Sequence, residues 1–250
     1  MSAAAVEYLI RMGDDRLILG HRNSEWAGHG PILEEDIALA NIALDQLGGA
    51  QLFLNLAGQI EGEGRDADRL AYWRDDVQFR NCQIVELPKG DFAFTVVRQF
   101  LFSAWSHGHL GLVAQSPNQD LAGIASKAQK ENRYHLRHAG DWVVRFGGGT
   151  DESRRRAQAA LDELWPFTDE FFVEDDIDRA VQAEGVVPAM TGLKPEWATL
   201  VGDVLGKATL TIPTTPMRMV GGRKGRHTEH LGRLLAEMQI VARSHPGATW

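Results

Sequence analysis

The chain has 250 residues, with 26 Lys and Arg against 34 Asp and Glu, for a formal charge of −8 at neutral pH. Recognition of nucleic acid through its phosphates asks for a basic footprint that this balance withholds, so general nucleic-acid binding is excluded. A single cysteine, Cys82, rules out a disulfide within the chain and any thiolate-rich zinc or iron–sulfur site, while the 44% apolar share is that of a globular protein with a core.

In chain order, residues 2–20 read as a first helix. A second begins at Pro31, whose missing N–H is no loss in a first helical turn, and Glu34, Glu35 and Asp36 sit where the helix dipole favours negative charge. Ile37, Ala40, Leu44, Leu47, Gln51 and Leu54 recur at steps of three and four, which predicts one shared, inward face. Residues 66–86 are a further candidate helix, stopped by Leu87-Pro88-Lys89-Gly90. Asp91 caps a helix with the face Phe92, Val96, Phe100 and Ala104 that runs towards Ser116-Pro117. Residues 119–146 follow as a long helix ended by Gly147-Gly148-Gly149, and Thr150 or Asp151 caps another. Leu210 to Gly222, with Pro213 and Pro216 among threonines, reads as irregular, before a last helix from about Thr228 to Arg243. Strand patterns are nearly absent. The expectation is therefore an all-α protein with a single domain over 1–250: a main bundle in 1–175, and peripheral C-terminal helices in 176–250. With no basic-flanked leader and no apolar run near the roughly 18 residues of a span, it is expected in the cytoplasm and off the membrane.

A large helical bundle raises the question of a di-iron carboxylate centre. Such centres use two Glu-x-x-His pairs and two further carboxylates on four facing helices, because residues three apart share a helix face. The chain contains no such pair. Nearest are Glu131 and His135, four apart, with Asn132 three before the histidine; on the second helix, Asp45-Gln46-Leu47-Gly48-Gly49 has no histidine at all. His135 alone reads as a hydrogen-bonded interior histidine. His107 and His109, two apart, point from different helix faces and make no shared metal site. Phe92, Phe94, Phe100, Phe102 and Trp105 read as core filling before they read as a substrate pocket. Inside a helix, Gly48 and Gly49 cost roughly 1 kcal/mol each relative to alanine, which predicts close approach of a neighbouring helix.

Three blocks carry a likeness to a known family. They are Glu25-Trp26-Ala27-Gly28-His29-Gly30-Pro31 running into Asp36-Ile37-Ala38-Leu39-Ala40-Asn41-Ile42, then Arg133-Tyr134-His135-Leu136-Arg137, then Gly221-Gly222-Arg223-Lys224-Gly225-Arg226-His227-Thr228-Glu229-His230-Leu231-Gly232. In this order, and over essentially its whole length, the chain resembles the non-catalytic C subunits of the bacterial phenylacetyl-CoA epoxidases, multicomponent monooxygenases of aerobic phenylacetate degradation. The resemblance implies a ferritin-like helical bundle with a structural role. A C-type chain would pair with and stabilise a related A subunit that carries the di-iron centre and binds the CoA thioester. A reductase would supply electrons from NADPH, and molecular oxygen would epoxidise the ring. A homodimer of the isolated chain is also compatible with it.

Carried onto this chain, the A subunit's ligand positions, four carboxylates and two histidines, fall on Arg16, Gln46, Gly49, Ser103, Asn132 and His135. Only His135 keeps a ligand side chain. Oxygen-rich iron or manganese sites need anionic ligands, and Arg16 places a permanent cation there, so no cofactor is expected in this chain. Arg16 is expected to stand in for the metal's charge by pairing with Asp45 or Glu131. The competing readings are an independently active di-iron or dimanganese oxidase with atypical ligands, and a CoA-binding module.

Charge is also unevenly placed. Between Pro216 and Arg233 the chain carries a local +4, with glycines before a helix start. The block lacks the Gly-Lys-Ser/Thr ending of a nucleotide phosphate loop. Arg218, Arg223, Lys224, Arg226 and His227 are candidates for contact with CoA phosphates or with an acidic partner surface, other oxygenase components included, against the plain alternative of a solvated loop. Opposite in sign, residues 162–178 hold eight acidic residues and no basic one, interleaved with Trp165, Phe167, Phe171 and Phe172. The simplest reading is acids facing water over packed aromatics.

Overall fold

The computed structural model describes residues 2–248, and every regular element among them is helical. Four long helices dominate: α1 (Ala3–Ser24) and α2 (Leu33–Glu61), then, after the short α3 (Ala67–Tyr72) and α4 (Gln83–Glu86), α5 (Phe92–Val113) and α6 (Gln119–Gly148). They are followed by α7 (Asp151–Leu164), a 3-10 segment Trp165–Phe172, α8 (Asp176–Ala183), α9 (Leu193–Lys207) and α10 (Glu229–Ser244). Their starts are chemically marked. Side chains of Ser2, Asp91, Asn118, Thr150 and Thr228 each accept a backbone N–H from the first turn of α1, α5, α6, α7 and α10, groups that have no partner within the helix.

α1 packs along α2 and α5 along α6, the two pairs of a ferritin-like bundle. α1 and α5 stand further apart and meet through side chains. Tyr8 Oη lies 2.6 Å from His109 Nε2, Asn23 Nδ2 donates to Gln99 Oε1 at 2.7 Å, and Trp26 Nε1 donates to Thr95 Oγ1 at 2.9 Å. The apolar core joins Leu9 and Ile18 of α1 to Phe100 and Phe102 of α5, and takes in Trp197 and Val201 of α9 and Leu231 of α10. Helices α9 and α10 thus close the same core as the bundle.

Three local expectations are corrected. Pro31 lies just outside α2, which Ile32 precedes in an extended conformation; the loop before it is fastened by Asp36, whose carboxylate accepts the N–H groups of Gly28 (3.1 Å) and Gly30 (3.2 Å). On α2 the inward face is Leu39, Ile42, Gln46, Ala50, Phe53 and Ala57, whereas Ile37 and Leu44 are 53% and 66% exposed. Apolar residues populate both sides of this helix, so the predicted stripe turns inward only at Leu47 and Leu54 and faces outward at Ile37, Leu44 and Gln51. That double-sided composition also makes α2 long and apolar enough to cross a membrane by length and composition alone, as the core helix of a bundle can be; half of its most apolar stretch is buried inside the bundle.

The third correction concerns residues 66–86, which form two short helices separated by a 3-10 turn, Asp76–Gln78. Buried carboxylates explain the break. Asp14 of α1 accepts the N–H of Arg80 at 2.8 Å, Asp15 that of Cys82 at 2.8 Å, and Glu170 that of Gln83 at 2.7 Å. Backbone donors that a continuous helix would pair internally are turned towards charged partners distant in sequence, and hydrogen bonds to charged acceptors are about twice as strong as neutral ones.

Candidate functional site

The six positions at the heart of the bundle come together across the four long helices. Arg16 lies on α1, Gln46 and Gly49 on α2, Ser103 on α5, and Asn132 and His135 on α6. All six are buried, Gly49 by the side of Arg16. Asn132 of α6 reaches α5, its Nδ2 donating to the Ser103 carbonyl at 2.9 Å, while Ser103 Oγ accepts from Gln99 Nε2 of its own helix at 2.8 Å. His135 Nε2 donates to Asp45 Oδ2 at 2.9 Å.

Arg16 fills the centre, by a different bonding scheme from the expected one. Its guanidinium donates to the Met12 carbonyl at 2.8 Å and to Ser106 Oγ at 3.2 Å, and lies 4.9 Å from the centre of the Phe53 ring. It forms no ion pair with Asp45 or Glu131 among the described residues: Asp45 is taken by His135, and Glu131 by Lys127 on the adjacent turn of α6. Burial lowers the Arg16 pKa to about 10, partly offset by the nearby Asp15 carboxylate. The cation is sustained by a carbonyl, a hydroxyl and an aromatic face.

Gly49 explains how so large a side chain fits. A Cβ at this position would stand 3.2 Å from Arg16 Cδ, whereas one on Gly48 would meet nothing within 4 Å. The predicted helix approach is thus replaced, at Gly49, by room for a guanidinium stem; nothing in the structure explains Gly48. Beside Arg16 only about 10 Å³ of cavity remains, bordered by Gln46, Asn132 and His135. That is about the space of one water. A cation, two amides, a glycine, a hydroxyl and one imidazole do not fit a pair of iron or manganese ions, which take several anionic oxygen ligands. No group of three or more His, Cys, Asp or Glu suited to hold a metal occurs among the described residues.

The C-terminal basic block folds back onto α1 and the 73–86 segment. Arg223 donates from both terminal nitrogens to Asp15, at 2.9 and 2.7 Å, and to the Arg80 carbonyl at 2.9 Å. Burial would lower its pKa, but Asp15 outweighs this and raises it. His227 reaches Glu86 with Nδ1 at 2.7 Å and the Phe79 carbonyl with Nε2 at 3.0 Å, and Glu86 also accepts the Thr228 N–H. Close packing sets the glycines here. A Cβ on Gly222 would stand 2.1 Å from the Asn81 carbonyl oxygen, and one on Gly225, at φ 70°, 2.3 Å from that of Val77. Arg223 and His227, expected among the residues that meet an anion or partner, are thus committed within the chain. Arg218 pairs with Asp169 at 2.9 Å, and Lys224 and Arg226 are exposed with no ion pair among the described residues.

The acidic stretch is less solvated than its composition suggests. Glu170 is 3% exposed and accepts the N–H groups of Gly221 (2.8 Å) and Gly222 (2.7 Å), while Asp175 caps α8 and pairs with Arg11 at 2.7 Å. Sequence reasoning misses this role. Its only trace is an unbroken acidic run in the same chain as a glycine-rich basic block.

A family model described as "Phenylacetic acid catabolic protein" matches residues 1–250. The chain is 46% identical over 243 residues to the C subunit of the 1,2-phenylacetyl-CoA epoxidase of Escherichia coli (strain K12), an alignment that covers 97% of this chain and 98% of that protein.

Proposed function

Because the chain belongs to the family of phenylacetic acid catabolic proteins, we propose that it serves as the structural, non-catalytic subunit of a 1,2-phenylacetyl-CoA epoxidase. The observation that carries this reading is the Arg16 guanidinium at the centre of the bundle, in a donor set that does not fit a metal pair. Oxygen chemistry then belongs to a related A subunit that would hold the di-iron centre, with electrons drawn from NADPH by a reductase. The contribution of this chain is to clasp that subunit and stabilise its active conformation.

A row of exposed apolar side chains on α2 supports such pairing. Leu33, Ile37 and Leu44 are 72%, 53% and 66% exposed. Tyr134 of α6 extends the surface: it is exposed and stacks on His138, which bonds Glu35 of α2 at 2.8 Å. Obligate interfaces between subunits are more apolar than ordinary surface and resemble a core cut in two.

Co-expression with the A subunit, followed by measurement of complex size and of iron on each protein, tests the reading. One heteromeric species with iron confined to the A subunit is expected, and Leu44→Asp should weaken co-purification while leaving this chain folded. Near-stoichiometric iron on this chain with its own oxygen-dependent turnover would instead make it an oxidase in its own right.

A further inference from the structure

A second interior space lies away from the bundle centre, between the N-terminal half of α1, the C-terminal half of α5, the 3-10 segment Trp165–Phe172 and the connection that precedes α9. It is a cavity of about 290 Å³ whose lining includes half-buried Met190 and exposed Thr191. From its size, rings and charge balance, we propose that it binds a small, uncharged aromatic molecule.

Size comes first. Pockets that enclose drug-sized ligands run from about 300 to 1,000 Å³, so this one suits a single ring with a short substituent and is far too small for a CoA thioester. The wall is aromatic. Trp105 is sandwiched between His109, at 4.7 Å between ring centres and 17° between planes, and Phe171, at 5.0 Å and 9°. With both faces of Trp105 covered, the stack offers a guest mainly ring edges, whose partial positive charge favours the π face of another ring over a saturated one. Tyr8 and Phe172 also line the space.

Charge excludes an anionic guest. The basic groups of the lining already have acidic partners: Arg11 pairs with Asp175 and Asp178, Arg223 with Asp15, and Lys194 with Asp169. Glu170 is saturated by three backbone N–H groups. Acids outnumber bases in the lining, four against three, so an anion would be desolvated without a free cation to receive it. At the deep end His109 is neutral, its pKa lowered to about 3 by burial and by the nearby Arg16 and Arg223. Trp105 Nε1 and His109 Nδ1 are enclosed without a hydrogen-bond partner among the described residues, so the stack meets the cavity with ring carbons. A neutral wall of rings matches a small uncharged arene. This proposal stands apart from the pairing of subunits, and its failure would leave that reading intact.

Calorimetry and ligand-observed NMR on the full chain, with benzyl alcohol, phenylacetate and cyclohexylmethanol as probes, provide the test. Saturable binding of benzyl alcohol is expected, weakened about tenfold or more by Met190→Trp or Thr191→Trp, which fill the cavity from a non-helical segment and should leave the circular dichroism spectrum unchanged. Phenylacetate should bind about tenfold more weakly than benzyl alcohol, and cyclohexylmethanol a few-fold more weakly. The proposal is overturned by absence of benzyl alcohol binding, by binding that survives both filling variants, or by phenylacetate or cyclohexylmethanol binding as tightly as benzyl alcohol.

Discussion

Arg16 projects from α1 into the bundle and Arg223 docks onto Asp15, its neighbour on the same helix, yet the two cations are held in opposite ways. Arg223 meets the Asp15 carboxylate with two parallel hydrogen bonds, and its pKa rises in spite of burial. Arg16 meets a carbonyl, a hydroxyl and a phenyl ring, and its pKa falls to about 10. Arg98 repeats the second pattern: fully buried, it donates to the Leu87 carbonyl at 2.6 Å and the Pro88 carbonyl at 3.1 Å, and burial lowers its pKa to about 9. A buried cation facing a carboxylate is half of a clamp, because each charge depends on the other. One facing dipoles is chiefly a volume filler whose charge is tolerated.

Removing half of the clamp gives the sharpest test. Arg223→Ala leaves Asp15 buried and short of its counter-ion, and is expected to cost about 3–5 kcal/mol in urea denaturation. A loss under about 1 kcal/mol would break the distinction. Arg16→Met keeps most of the volume and deletes a charge that has no ion pair, so stability should move by less than about 1.5 kcal/mol in either direction. A collapse as large as that of Arg223→Ala would show that the centre is a clamp as well.

A smaller effect should come from pH. Burial lowers the pKa of His227, but its bond to Glu86 outweighs this and raises it above the ordinary value. Its contribution is therefore fully present below about pH 6.5, the unfolded value, and is lost as pH rises through the higher folded value. Denaturation midpoints measured across that window should fall with pH, and His227→Gln should flatten the slope. The smallest change is expected from Lys224→Glu combined with Arg226→Glu, both exposed, which should stay within about 0.5 kcal/mol of the parent. A larger loss would extend the clamp beyond Arg223 and His227.

The long helices are readable from sequence because their caps and apolar periods are local signals. Asp91 and Thr150 mark their helix starts in sequence as they do in space. Residues 66–86 are not, because their backbone N–H groups are claimed by Asp14, Asp15 and Glu170, which no local pattern places nearby. The outward face of α2 misleads since Ile37 and Leu44 obey the same spacing as buried residues. At the centre, resemblance locates Arg16 and its five neighbours, but its bonding to Met12 and Ser106 instead of Asp45 or Glu131 depends on helix rotation and on the space left by Gly49. The aromatic cavity is illegible for a different reason. Its walls come from five segments spread from Tyr8 to Arg223, and among them only the aromatic run of α5 reads as a possible pocket.

The contact between Arg16 and Gly49 also orders the route by which a metal centre could be rebuilt here. Any side chain at position 49 begins with a Cβ only 3.2 Å from Arg16 Cδ, so a histidine installed there first would have to push the arginine stem aside. A shortened Arg16 is therefore the easier starting point for a ligand at position 49. Yet shortening Arg16 alone opens a void before any ion can fill it. Each first step is disfavoured until the other has been taken, so the geometry acts as a ratchet that holds the chain in its present role.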